Sequence, residues 1–220
     1  MISRLHIVTD DRILSAPNFL ANAHIAMASG AGRTTFHLRG PRTKGRTLWE
    51  LALALRPAAI DHNVRMVVND RVDLALTVKA DGAHLGARSL PVIDTRRLLG
   101  QDVLIGCSVH DGAEAGRLLS GGSGPSILPD YLLAGAMFTT PSHLDRPAGG
   151  VHLMRVMSGA LPSVPVLGIG GVTAERIPEI LEGGAHGVAV VRAVWDAPNT
   201  GVAVSRLLES LDRSVPGSGI

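Results

Sequence analysis

Val166-Leu167-Gly168-Ile169-Gly170-Gly171-Val172-Thr173 is a short apolar run that ends in glycines and leads into residues of helical spacing. Such a run reads as a buried strand, and the glycines behind it let the backbone turn tightly and approach a ligand closely. Free amides at the start of the following helix attract an anion, phosphate above all, and Thr173 is the expected N-cap. An ordinary tight turn between a strand and a helix would use the same residues.

The unit repeats along the chain in both directions. Apolar runs at 5–8, 34–38, 65–68, 82–85, 103–107, 131–134, 166–169 and 187–191 read as strands. Amphipathic stretches near 18–29, 47–60, 71–78, 91–99, 111–119, 150–160, 173–183 and 199–212 read as helices between and after them. Eight strands and eight helices in strict alternation predict an α/β chain folded as a (β/α)8 TIM barrel, a single domain over 1–220. Closure removes both edge strands, and eight is the number at which side chains fill the interior. An open doubly wound sheet is the alternative; it would more often have five or six strands and a glycine-rich first turn, whereas the glycine-rich turns here come late. Two stretches break the pattern. Residues 120–129 (SGGSGPSILP) read as a surface insertion, and 139–150 (TTPSHLDRPAGG) follow a strand directly and so hang over the expected barrel mouth, where lids commonly sit.

With 220 residues the chain is long enough to bury a substantial core, and at 3% aromatic content that core is aliphatic. A net charge of +2 with scattered arginines gives no basic stripe for nucleic acid. Cys107 is the only cysteine, so neither an intrachain disulfide nor a cysteine zinc cluster can form. Asp10, Asp11 and Arg12 interrupt the apolar stretch a signal peptide needs, and no segment is apolar enough to span a bilayer, so the expectation is a cytoplasmic protein with no membrane partner.

In the barrel reading the strand ends carry the candidate chemistry. Val191 and Arg192 end the eighth strand beside the Gly170-Gly171 turn, where a guanidinium would add charge-assisted bonds to a phosphate or simply lie in solvent. His37 and Arg39 share one face of the second strand, opposite Leu38. Asn69 and Asp70 end the third, Asn69 as a ligand contact and Asp70 as a magnesium ligand or, more commonly, a helix N-cap. Ser108 and His110 follow the fifth, placing a hydroxyl and a proton-shuttling imidazole two residues apart. His84 lies in what reads as a buried strand and turn, a structural position.

Taken in order, these segments resemble the thiamine phosphate synthase and thiazole tautomerase superfamily. The opening strand Ile7–Asp10, Phe36-His37-Leu38-Arg39, Val68–Ala75 (VNDRVDLA), Ala80–Gly86 (ADGAHLG), Gly106-Cys107-Ser108, Gly135–Thr140 (GAMFTT), Gly168–Val172 and Gly187–Val191 carry the resemblance over nearly the whole chain. In the synthase branch, the resemblance implies a magnesium ion held by two aspartates while a pyrimidine pyrophosphate is joined to a thiazole phosphate. Asp70 matches the first aspartate, but Ser89 stands at the second. His37 stands for a glutamine, Pro41 for a lysine, and His143 for a lysine in the sixth loop. Loss of these groups weakens neutralisation of a departing pyrophosphate. The tautomerase branch (TenI-like) is the better match at these positions, with Ser108-Val109-His110 and a histidine in the second strand. It needs no metal or other cofactor and aromatises a thiazole carboxylate phosphate by moving a proton. That resemblance implies His110 as proton shuttle, Gly170, Gly171, Val191 and Arg192 around the phosphate, and His37, Arg39, Asn69, Asp70, Ser108, Thr140 and Ser142 around the rest of the substrate. It also implies a homodimer. The tautomerase is therefore the leading expectation, followed by a synthase with an altered, magnesium-using site and then a non-catalytic binder of thiazole or thiamine phosphate.

Overall fold

The computed structural model describes residues 1–120, 127–139 and 148–214, without the side chains of 117–120. Eight parallel strands close into one barrel: β1 (Leu5–Val8), β2 (Thr34–Leu38), β3 (Arg65–Asn69), β4 (Gly82–Leu85), β5 (Leu104–Val109), β6 (Tyr131–Ala134), β7 (Val166–Ile169) and β8 (Gly187–Val190), with β8 pairing back onto β1. The helices are α1 (Asp11–Leu14), α2 (Phe19–Ser29), α3 (Gly45–Asp61), α4 (Val72–Thr77), α5 (Val92–Leu99), α6 (Gly112–Ser120), α7 (Gly150–Ala160), α8 (Ile177–Glu182), α9 (Arg192–Trp195) and α10 (Thr200–Arg213). The TIM barrel is thus the observed fold, and the open sheet is excluded by the β8–β1 pairing.

Strand period two divides the apolar residues between two cores. On β6, β7 and β8, Leu132, Ala134, Val166, Val188 and Val190 face the helices, while Leu133, Leu167 and Ala189 face inward with Tyr131 and Val8. Below the strands, Asp81 accepts from the Met66 amide and pairs with Arg56, and Asp130 accepts from the Ile105 amide and pairs with the buried Arg96. These two carboxylates tie neighbouring strands together at the end of the barrel away from the mouth.

Several boundaries move. β5 runs to Val109, so Ser108 is a strand residue held by ladder bonds rather than part of the following loop. β3 gains Asn69, and β8 stops at Val190 because Val191, at φ −119° and ψ −82°, leaves the extended region to cap α9. The four-residue helices α1 and α9 are too short for periodicity to reveal. The helix after β7 opens as a 3-10 turn, Ala174–Arg176, and Thr173 makes no capping side-chain bond there. Among the described residues, no helix is long and apolar enough to cross a membrane.

Candidate functional site

The mouth of the barrel is the end at which the strands finish, and its β2–β5 side is lined by polar side chains. Thr9 fixes the rim: its hydroxyl accepts from the Arg39 amide at 2.8 Å and donates to the Arg39 carbonyl. The Arg39 side chain is half-buried, and its charge lies close enough to His84 to help lower that imidazole's pKa.

Beneath Arg39 the expectation for His37 is corrected. Its side chain is inside the barrel, 0% exposed, with Nδ1 at 3.1 Å from Asn69 Oδ1 and Nε2 at 2.9 Å from His6 Nδ1. It therefore supports Asn69 instead of meeting a ligand, because the residue two positions later, Arg39, is the one that reaches the rim. The column continues through Tyr131, whose hydroxyl is 3.3 Å from His84 Nδ1 and 3.5 Å from His37 Nε2. It ends at Ser108, whose Oγ lies 2.8 Å from His84 Nε2. Burial pushes His37 down to about 4, drives His6 and His84 well below the usual histidine value, and raises the Tyr131 phenol. All four groups are accordingly neutral near neutral pH.

Gly106 makes this column possible. It pairs with Tyr131 across the β5–β6 ladder, and a Cβ at 106 would stand only 2.1 Å from the Tyr131 ring. Neither Tyr131 nor His84 stood out as a site residue in the sequence. The available signal was the strand register, in which His84 pairs with Gly106 so that Ser108 lies one inward step further along.

Asp70 is not the N-cap expected of it. Arg71 occupies that position, and Asp70, at φ 62°, turns its carboxylate across to the loop after β4. There Oδ1 accepts from Ser89 Oγ at 2.7 Å and from the Gly86 amide at 3.1 Å. The two positions that would hold magnesium are thus adjacent, but they carry one carboxylate between them. No group of three or more metal-ligating His, Cys, Asp or Glu exists among the described residues. A magnesium ion held by two aspartates does not fit this chain.

Beside this loop, Gly86, Ser89, Cys107, Ser108 and Glu114 line a pocket of about 260 Å3. His110 is exposed just beyond β5, with Nδ1 at 2.9 Å from Glu114 Oε2, which also accepts the His110 amide. Asp111 Oδ1 accepts the Glu114 amide at the start of α6, and the Glu114 carboxylate in turn holds the imidazole in place. With Nδ1 donating to the carboxylate, Nε2 is left as an acceptor.

The β6–β8 side presents backbone. Gly170 and Gly171 have φ of 99° and 68°, conformations that disfavour any side chain. Their carbonyls are engaged by the Phe138 amide and by Arg176 Nη1, and the Arg176 guanidinium sits 4.3 Å above the Phe138 ring. Val191 is half-buried against the interior core, while Arg192 is exposed as the first residue of α9. Thr140, Ser142 and His143 lie outside the described residues, as do 121–126 of the insertion.

Comparison with known proteins agrees with this architecture. The thiamine-phosphate synthase of Methanoculleus marisnigri is 37% identical over 191 residues, 86% of each chain. A bifunctional thiamine biosynthesis protein, ThiM/ThiE, of Symbiobacterium thermophilum is 41% identical over 167 residues. That match covers 75% of this chain, which spans only a third (33%) of that relative. Among solved structures, thiamine phosphate pyrophosphorylase from Pyrococcus furiosus superposes with a TM-score of 0.78 at 28% identity, covering 96% of both chains. A family model described as thiamine monophosphate synthase matches residues 5–194, and the chain belongs to that family.

Proposed function

We propose that the protein is an enzyme of thiamine biosynthesis that joins a pyrimidine pyrophosphate to a thiazole phosphate at the barrel mouth, the thiamine-phosphate synthase reaction. This reverses the order expected from the sequence, where the tautomerase led. The observation that carries it is the 37% identity, over 86% of both chains, to a protein named thiamine-phosphate synthase. In this reading the amides of the Gly170–Gly171 turn and the start of α9 at Val191 and Arg192 hold the thiazole's phosphate. Asn69 and Ser108 orient the ring, and Arg39 supplies positive charge towards the leaving pyrophosphate. No step is assigned to magnesium, since only Asp70 of the expected pair is acidic.

A specific observation keeps the tautomerase as the second reading. Ser89, hydrogen-bonded to Asp70 where a second carboxylate would stand, leaves out a group that the synthase branch uses and the tautomerase does not. His110 would then take a proton on Nε2 and return it to another ring atom, with Glu114 stabilising the imidazolium.

One experiment separates the readings. The protein is incubated with both synthase substrates, with and without magnesium, and thiamine phosphate is quantified. In parallel, the non-aromatic thiazole carboxylate phosphate is followed for aromatic absorbance. Thiamine phosphate formation is expected. Its absence alongside accelerated aromatisation would replace the synthase reading by the tautomerase, and binding without either turnover would make the protein a non-catalytic binder.

A further inference from the structure

The buried column has a direction, and that direction can be followed atom by atom from its inner end. Asn69 Oδ1 accepts only, so the His37 Nδ1 at 3.1 Å carries a hydrogen and donates it. A neutral imidazole with its hydrogen on Nδ1 presents a lone pair at Nε2, so the His6 Nδ1 at 2.9 Å is the donor in that contact. The remaining His6 nitrogen, Nε2, is one of two buried side-chain atoms without a hydrogen-bond partner among the described residues, the other being Thr95 Oγ1.

Tyr131 is next. Its hydroxyl has two acceptors in reach, His84 Nδ1 at 3.3 Å and His37 Nε2 at 3.5 Å. The second is already claimed by His6, so the phenol donates to His84. Neutral His84 must then carry its hydrogen on Nε2, which faces Ser108 Oγ at 2.8 Å and donates to it. With that approach occupied by a donor, the Ser108 hydrogen is turned away from His84 and is left to be offered where the half-buried Ser108 stands, near the end of β5.

We propose that His84 and Tyr131 are specificity-determining positioning residues that take one acceptor site of Ser108 and leave its hydrogen for the ligand, so that the site prefers heteroaromatic rings presenting an unprotonated nitrogen over isosteric rings presenting N–H. The column is neutral throughout and gains or loses no proton; it acts by fixing one hydroxyl. The low pKa values of its imidazoles and the high value of its phenol are in keeping with this. The proposal rests on the ligand ring reaching Ser108, as the synthase reading has it, but not on which reaction follows.

The test uses two probes with five-membered rings on the same chain, 2-(thiazol-5-yl)ethyl phosphate, whose ring nitrogen only accepts, and 2-(pyrrol-3-yl)ethyl phosphate, whose ring nitrogen only donates. The wild-type protein is expected to bind the thiazole roughly tenfold more tightly, the size of one well-made hydrogen bond against an unmade one. His84→Met frees the Ser108 hydroxyl to rotate, and the preference falls to about twofold or less. Ser108→Ala loses it as well, while plain ethyl phosphate binds all three proteins equally. Wild-type indifference to the two rings, or an undiminished preference in His84→Met, overturns the proposal.

A measurement that needs no folded His84 variant is the nitrogen NMR spectrum of the wild-type imidazoles. His84 is expected as the Nε2–H tautomer, with an Nδ1 resonance that moves towards the free-base position in Tyr131→Phe. An Nδ1–H tautomer in the wild type sinks the idea. Thiamine phosphate formation by a protein that fails these tests would leave the synthase reading standing, and retained ring discrimination without turnover would do the reverse.

Discussion

The β2–β5 side of the barrel and the β6–β8 side meet the same mouth but are built differently. The first is a stack of the buried His37, Asn69 and His84 and the half-buried Ser108, backed by His6 and Tyr131, in which each polar group is fixed by the next. The second has an apolar interior of Leu133, Leu167 and Ala189 and offers glycine backbone at its rim. Side chains distinguish one ring atom from another. Backbone amides suit a phosphate, whose oxygens are alike and whose charge is what matters. In the proposed reading ring recognition belongs to one side and anion binding to the other, and perturbing each side separately shows whether the division is real.

The largest effect is expected from acid, and it strikes the polar side. His37 is held at about 4 against 6.5 in the unfolded chain, and His6 and His84 are also lowered well below the usual histidine value, all chiefly by burial. The folded state therefore binds fewer protons than the unfolded one below about 6.5. Stability is intact above that pH and falls as pH drops towards 4, by about 1.4 kcal/mol per pH unit for His37 alone. Urea unfolding between pH 7 and 4.5 should show this loss, with a shallower slope in His37→Gln. An unchanged slope in the variant would mean that the imidazole at 37 is charged or solvated in the fold.

Next comes Gly170→Ala on the backbone side. At φ 99° a side chain is strained, and its Cβ would lie 3.0 Å from Ala136 Cα. A cost of roughly 2 kcal/mol, about thirtyfold in affinity, is expected for phosphorylated probes, with little change for the same rings lacking phosphate. Equal weakening of both probe types would dissolve the division of labour.

The smallest effect is expected at Arg39, on the rim where both sides can reach a ligand. Arg39→Met keeps most of the buried stem and removes the charge, so roughly a fivefold rise in KM for an anionic substrate is expected, with the fold's stability unchanged within about 0.5 kcal/mol. A rise that persists undiminished in 0.5 M salt would argue for a direct hydrogen bond in place of a screened field.

The sequence was informative about the barrel because period two and its alternation with helices are local. A run such as Tyr131–Ala134 marks a strand by itself, although only the structure divides Leu132 and Ala134 from Tyr131 and Leu133 between the two cores. It was also informative about the glycine turn, whose requirement for positive φ is written in Gly170 and Gly171 themselves. The polar side was less legible, since His37 looks the same in sequence whether it meets a ligand or lies beneath one. Its place depends on the register that sets it against Asn69, and Ser108 gains its partner because His84 sits opposite Gly106. Asp70 was misread as a cap because nothing local marks a left-handed aspartate whose partners, Gly86 and Ser89, lie a whole βα unit away.

The missing side chain at Gly106 makes two positions interdependent. The phenol of Tyr131 occupies the space a methyl group there would need, so Gly106 cannot change while the tyrosine stays. Anyone redesigning this pocket for a ring of opposite polarity would have to exchange both at once, for instance a larger residue at 106 with an aliphatic one at 131. A double-mutant cycle on the pair should then be strongly non-additive. In evolutionary terms the pair behaves as a ratchet: once the tyrosine is seated, the glycine is no longer free to change.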